Sequence, residues 1–333
     1  MNEVLLVSQE EVPRLLPMRE CIELMANVLR ALADGKTILP LRTVLPLPDG
    51  RGAFASMPAV VLEPYALGLK VITVFPGNHG TAYDSHQGAV LLFEPEHGSL
   101  VAIIDASSVT AIRTAAVSAV ATRALAREDA HTLGILGSGV QATTHVEAML
   151  AVRPIDRVRV WSRERKHTIA FAARAASQYG IEVRVVNGAE DAVRDADIVC
   201  TTTSAREPVL HGTWLTPGTH VNAVGASTRN ARELDGAALQ QSRLYVDRRE
   251  SAINEAGDYL MAKAEGFVDE GHIVGELGEL LTGRIAGRRT TDEITLFKSL
   301  GLAIEDVASA HHIYQSAHTR SDLPRIRLGG IRA

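Results

Sequence analysis

The chain has 333 residues, 46% of them hydrophobic and 22% charged, with a formal net charge of -5. That length can bury a large core and suggests two domains, while the scattered Lys and Arg leave no electrostatic footprint for nucleic acid. No apolar run approaches the ~18 residues that span a bilayer, and MNEVLLVSQEEV carries no basic lead, so no membrane partner or secretory route is expected and the cytoplasm is the default. Cys21 and Cys200 lie far apart without CxxC or Cys/His spacing, and are expected to be buried thiols rather than metal or redox groups.

In chain order, PMRECIELMANVLRALAD places Ile22, Met25, Val28, Leu29 and Leu32 at helical spacing, with Gly35 as a stop. Strand-like runs follow: RTVLPLP, GAFASMPAVV, ALGLKVITVFP and GAVLLFEPEHGSLVAIID, the last broken by a hairpin turn at EPEHGS. This first region reads as a sheet rich in antiparallel pairs with one or two helices. Near Ala111 the Ala-rich AIRTAAVSAVATRALA predicts a helix, and strands then alternate with helices through HTLGILG, RVRVWS, EVRVV, DIVCTTT and HVNAVGA. Strict alternation implies a parallel sheet covered on both faces. EITLFKSLGLAIEDVASAHHIYQSAH is expected to be one long helix running back to complete the first domain, followed by an extended basic tail ending in RIRLGGIRA.

LGILGSGVQATTH fits GxGxxA through Gly137, Gly139 and Ala142, after an apolar strand and opening a helix. Gly137 permits a tight turn, Gly139 lets backbone approach a pyrophosphate, and the helix N-terminus at Val140 and Gln141 offers free N–H groups. The second strand ends in VWSRERKH, with Ser162 and Arg163 where an NAD-binding chain carries a carboxylate. Hydroxyl plus guanidinium suits a phosphate monoester, which favours NADP(H), while Glu164 keeps NAD(H) open.

A nicotinamide cofactor leaves the first region to hold the substrate. Its candidate cations are Arg42, Lys70 and Arg113. A Lys in the middle of an apolar strand, as Lys70 is, needs an anionic partner to be buried. Arg113 and Thr114 are expected at the entry to the Ala-rich helix, where their donors could meet a diphosphate or carboxylate. His86 is the polar residue opening an apolar strand.

SHQGAVLLFEPEHGSLVAIIDASSVTAIRTAAVSAVAT, LGILGSGVQATTHVEAML, HVNAVGASTRNARELD and TLFKSLGLAIEDVASA resemble the ornithine cyclodeaminase/mu-crystallin family, in order and over nearly the whole chain. The resemblance implies a homodimer built through the first domain and a Rossmann domain binding NAD(H) or NADP(H). It implies Arg42, Lys70 and Arg113 around the substrate carboxylate and reacting nitrogen, with Lys70 and Arg113 catalytic. It places His86, Arg113 and Thr114 beside the cofactor, Ser162 and Arg163 on the 2'-phosphate, and Thr201, Thr202, Thr203 and Val224, Gly225 and Ser227 on the nicotinamide side. Lys298 and Gly301 of TLFKSLG join the cofactor contacts.

In cyclodeaminases the resemblance puts an Asp directly after GA, and this chain has Ser227. A hydroxyl is a poor general base at neutral pH, so reduction of a cyclic imino acid, Δ1-pyrroline-2-carboxylate or Δ1-piperideine-2-carboxylate, is expected over ornithine cyclodeamination or amino-acid dehydrogenation. A non-catalytic small-molecule binder is the alternative of another class. The expected fold is α/β: a Rossmann-type doubly wound parallel sheet, residues 113–305, plus a discontinuous α+β substrate-binding and dimerisation domain, residues 1–112 and 306–333.

Overall fold

The computed structural model describes residues 3–78 and 80–328. The chain forms two compact units, the first made of residues up to 113 and from 301 onward, the second of residues 114–300. The return to the first unit falls at Gly301 rather than after residue 305, because Glu305 and Asp306 are bound there to Arg113 and Lys70.

In the first unit β1 (Glu3–Val7), β2 (Thr37–Ile38), β3 (Thr43–Pro46), β4 (Ala53–Leu62), β5 (Tyr65–Val74), β6 (His86–Phe93) and β7 (Leu100–Asp105) join a final strand, Arg325–Arg327. The order is Arg325–Arg327, β1, β7, β6, β5, β4, β2, with β3 also on β4. Strands β4 to β7 pair antiparallel in sequence order, and β1 runs parallel to β7. At the EPEHGS turn the Glu94 carboxylate accepts from the backbone N–H groups of Glu96, His97 and Ser99, while Gly98 takes a φ of 74°. Alternation turns Ala55, Met57, Ala59 and Val61 of β4 and Ala66, Gly68, Lys70 and Ile72 of β5 inward. Helix Ala303–Ala317 packs on this face and against helix Met18–Ala33.

The second unit contains β8 (Thr132–Leu136), β9 (Arg157–Trp161), β10 (Glu182–Val185), β11 (Ile198–Thr201), β12 (His220–Ala223), β13 (Ser242–Val246), β14 (Ile273–Glu276) and β15 (Ile294–Lys298). All pairs are parallel, in the order β10-β9-β8-β11-β12-β15-β13-β14. The first three strands step one way from β8 and the next two step the other way. This reversal at β8/β11 is the switch point of a doubly wound sheet, and ligands bind outside the strand ends there.

Three expectations are corrected. EITLFKSLGLAIEDVASAHHIYQSAH is not one helix: ITLFK forms β15 inside the sheet, Gly301 turns the chain at a φ of 79°, and the helix begins at Ala303. The apolar, β-branched and aromatic run satisfies a central strand as well as a helix, and parallel neighbours on both sides decide the matter. The sheet also gains β13 and β14 beyond the five strands read from sequence. Finally, the Ala-rich helix starts at Ala106, so Arg113 and Thr114 lie about two turns inside it, with their backbone N–H groups in the helical ladder rather than at its open end. Of the tail RIRLGGIRA, residues from 329 onward lie outside the described residues.

Candidate active site

In the first unit the strand register puts Lys70 between Met57 of β4 and Val90 of β6, on the inward face. Its side chain is 1% exposed and its Nζ forms an ion pair at 2.7 Å with Asp306 Oδ2. The other Asp306 oxygen accepts from Arg113 Nε at 3.0 Å, and Arg113 Nη1 donates to Glu305 Oε2 at 2.7 Å. Asp306 thus bridges a lysine on a strand and an arginine on a helix. Burial pushes the Lys70 ammonium down to about 8, with Asp306 working against the shift and Arg113 adding to it. An amine poised there exchanges protons near neutrality, which an ordinary surface lysine does not.

Arg42, half-buried in the loop before β3, donates from Nη2 to the Gly301 carbonyl at 3.0 Å. Gly301 also backs onto Arg113, where a Cβ would collide with Nη1. The residue expected to touch cofactor therefore holds Arg42 through its carbonyl and leaves room for the Arg113 guanidinium by lacking a side chain. Lys70, Arg42 and Arg113 carry three positive charges against two on Glu305 and Asp306, so this group has a net charge of +1 and a field that favours an anion such as a carboxylate. Sequence reasoning missed Glu305 and Asp306. Their signal was present in AIEDVASA, an acidic pair inside an apolar run that needs cations to be buried. His86 is exposed at the start of β6, with its ring beside Ser85 Oγ and its carbonyl accepting from Ser107.

In the second unit Gly137 turns the chain after β8 at a φ of 120°, and a Cβ there would strike Thr202 Oγ1 at 2.7 Å across the switch point. Among the described residues, its chain neighbours aside, nothing lies within 4 Å of a Cβ position on Gly139, and Val140 at the helix start is 59% exposed. Open space over a glycine at a helix N-terminus fits a dinucleotide pyrophosphate. Ser162, past the end of β9, shares its hydroxyl with Ser138 Oγ at 2.9 Å and Thr168 Oγ1 at 2.6 Å, and Arg163 beside it is exposed. Thr114 is buried in the Ala-rich helix. Ser227 is half-buried, past the end of β12.

Lys298, expected at the cofactor, ends β15 1% exposed, with Nζ 2.8 Å from Asp258 Oδ2. Burial beside that pair holds Glu233, whose carboxyl is pushed up by desolvation while Lys298 opposes the shift. Neither Glu233 nor Asp258 was singled out from sequence, since each acid is separated from Lys298 by a long stretch of chain.

A parallel sheet of this order, with a glycine turn and an open helix end at its switch point, defines a protein of the Rossmann-type doubly wound class, here joined to an α+β unit that buries a lysine. The chain belongs to the ornithine cyclodeaminase/mu-crystallin family, whose sequence model matches residues 2–321. It is 43% identical over 283 residues to the ketimine reductase mu-crystallin of Mus musculus, covering 85% of this chain and 86% of that one. It is 38% identical over 324 residues to a Delta(1)-pyrroline-2-carboxylate reductase of Bacillus cereus, covering 97% and 99%. The solved Delta(1)-pyrroline-2-carboxylate reductase of Thermococcus litoralis, in complex with NADH and L-proline, matches with a TM-score of 0.95 at 39% identity over 97% of this chain and 100% of that one.

Proposed function

We propose that the protein is an NAD(P)H-dependent ketimine reductase that converts Δ1-pyrroline-2-carboxylate or Δ1-piperideine-2-carboxylate to L-proline or L-pipecolate. The observation that carries this reading is Lys70, buried against Asp306 and held near a pKa of about 8. Its relatives named as ketimine and pyrroline-2-carboxylate reductases support the same chemistry.

In this mechanism Arg42 and Arg113 neutralise the substrate carboxylate, and their seat on Gly301 and the helix acids fixes the ring before reaction. Lys70 gives its proton to the imine nitrogen, and the Asp306 carboxylate keeps the amine oriented and draws a replacement proton toward it. A bound reduced nicotinamide supplies the hydride that the C=N carbon accepts. No base is needed to activate water, so Ser227 after GA is sufficient as a small polar wall, whereas ammonia loss from ornithine calls for a carboxylate there.

We assign NADP(H) as the preferred cofactor, supported by Ser162 and Arg163 at the tip of β9, neither of them a carboxylate. Gly137, Gly139, Val140 and Gln141 hold the diphosphate in this reading, with Thr201 to Thr203 and Val224 to Ser227 on the nicotinamide side. We also assign a homodimer built through the first unit, whose strands β2 to β4 expose Ile38, Val44, Leu45 and Phe54. The deciding assay is NADPH and NADH oxidation with the five- and six-membered imines beside ammonia release from L-ornithine. Imine-dependent oxidation without ammonia is expected, and ammonia with proline would overturn the assignment.

A further inference from the structure

Two consecutive strand ends on one side of the switch point, those of β11 and β12, are tied together by one buried carboxylate. Glu233 Oε1 accepts from the Thr203 backbone N–H at 2.6 Å and the Thr203 hydroxyl at 2.7 Å. Its Oε2 accepts from the Gly225 backbone N–H at 2.6 Å and the Thr201 hydroxyl at 2.8 Å. Each oxygen thus serves one loop's backbone, and Thr201 joins the second oxygen to the first strand. The loops are pressed together here, since a Cβ on Gly225 would collide with the Thr203 carbonyl oxygen and come within 2.6 Å of Glu233 Oε1. Glu233 is itself held from behind: its N–H and that of Leu234 both donate to Asp258 Oδ1, at 2.7 and 3.0 Å. The second Asp258 oxygen pairs with Lys298 at the end of β15. The Glu233 carboxylate thus joins the ends of β11 and β12, and Asp258 behind it links the Glu233 backbone to the end of β15.

This side matters because a doubly wound sheet divides its dinucleotide at the switch point. The β8–β9–β10 half carries the glycine turn and the Ser162–Arg163 tip, which serve diphosphate and adenosine, and leaves the β11–β12 half for the nicotinamide. We propose that Glu233 is a positioning residue for the nicotinamide half of the cofactor, setting the spacing of the Thr203 and Gly225 loops without touching the reacting atoms. The inference rests on the dinucleotide reading of the second unit and deepens it.

Replacing Glu233 by Gln isolates the effect. An amide has one acceptor oxygen, and the two backbone N–H groups meet different carboxylate oxygens. Whichever way the amide turns, one loop loses its acceptor and faces an NH2 group. The experiment is binding of NADPH and NADH, and separately of ADP-ribose and its 2'-phosphate, to wild type and E233Q by titration calorimetry. The expected result is dinucleotide affinity lower by about tenfold with ADP-ribose affinity unchanged within about twofold, a difference of about 1.4 kcal/mol confined to the nicotinamide half. Equal losses for both ligands would reduce Glu233 to general stability, and no loss for either would remove it; both results overturn the proposal.

Hydrogen exchange on the wild-type chain tests it without a substitution, should E233Q fail to fold. The Thr203 and Gly225 amides should gain more protection from NADPH than from ADP-ribose, and equal protection overturns the assignment. These readouts use binding alone. A chain that binds dinucleotide in this manner but reduces no imine would sink the proposed reaction and leave Glu233 in place.

Discussion

Lys70 and Asp306 form a buried ion pair, Nζ to Oδ2 at 2.7 Å, between a strand near the start of the chain and a helix near its end. The pair joins the proton donor of the proposed reaction to the carboxylate that also holds Arg113, so substitutions at either residue should be read through the other.

The first prediction concerns pH. Burial holds Lys70 at about 8, below its ordinary 10.5. Because the protonated amine is the donor, kcat/KM for a cyclic imine should fall about tenfold per pH unit above about 8, and K70R, whose guanidinium does not titrate there, should lack that limb. The stability consequence has the opposite sense. Between about 8 and 10.5 the unfolded chain binds this proton more tightly than the folded one, so the contribution of Lys70 to stability rises with pH across that window. Urea unfolding of wild type and K70M should show a difference that shifts in favour of wild type as pH increases; a constant difference would contradict the assigned pKa.

Asp306→Asn removes the anion shared by Lys70 and Arg113. Lys70 loses this buried ion pair while Arg113 keeps Glu305, and breaking a buried pair typically costs about 3–5 kcal/mol, so the melting temperature should drop. The lysine should titrate at still lower pH, with the alkaline limb moving below about 8 and turnover at pH 8 falling by about 100-fold. An unmoved limb would detach Asp306 from the proton donor.

Gly301→Ala separates two readings of one glycine. The new Cβ would collide with Arg113 Nη1, on a backbone whose φ of 79° resists side chains. Displacement of Arg113, with Arg42 anchored on the same residue, should raise KM for the imine by about tenfold while ADP-ribose affinity stays within about twofold. A loss of cofactor affinity with KM intact would favour the cofactor reading of Gly301 instead.

Arg163→Ala should lower NADPH affinity by about tenfold and leave NADH within about twofold, since a guanidinium–phosphate contact is charge-assisted and absent from NADH. Equal responses to the two cofactors would withdraw the NADP(H) assignment.

Ser227→Ala tests the loop that distinguishes reduction from deamination. With no base required, imine reduction should stay within about threefold of wild type. A loss beyond about 100-fold would make the hydroxyl a participant in proton transfer.

Local pattern alone determined a good deal about this protein. GxGxxA between a strand and a helix marks the tight glycine turn at Gly137, because close backbone approach admits few residue types, and the lone lysine in an apolar strand marks Lys70, because burying an ammonium demands a partner. What pattern left open was decided by neighbours. ITLFK fits helix and strand alike, and two parallel partners made it a strand. Arg113 reads as a helix entry and lies inside the helix, because the periodic apolar run does not show where the first hydrogen-bonded turn begins. The partners of the buried charges, Asp306 for Lys70 and Glu233 for the Thr203 and Gly225 loops, were settled only by the tertiary structure, since the packing that brings distant segments within hydrogen-bonding reach is not written in the spacing of any one of them.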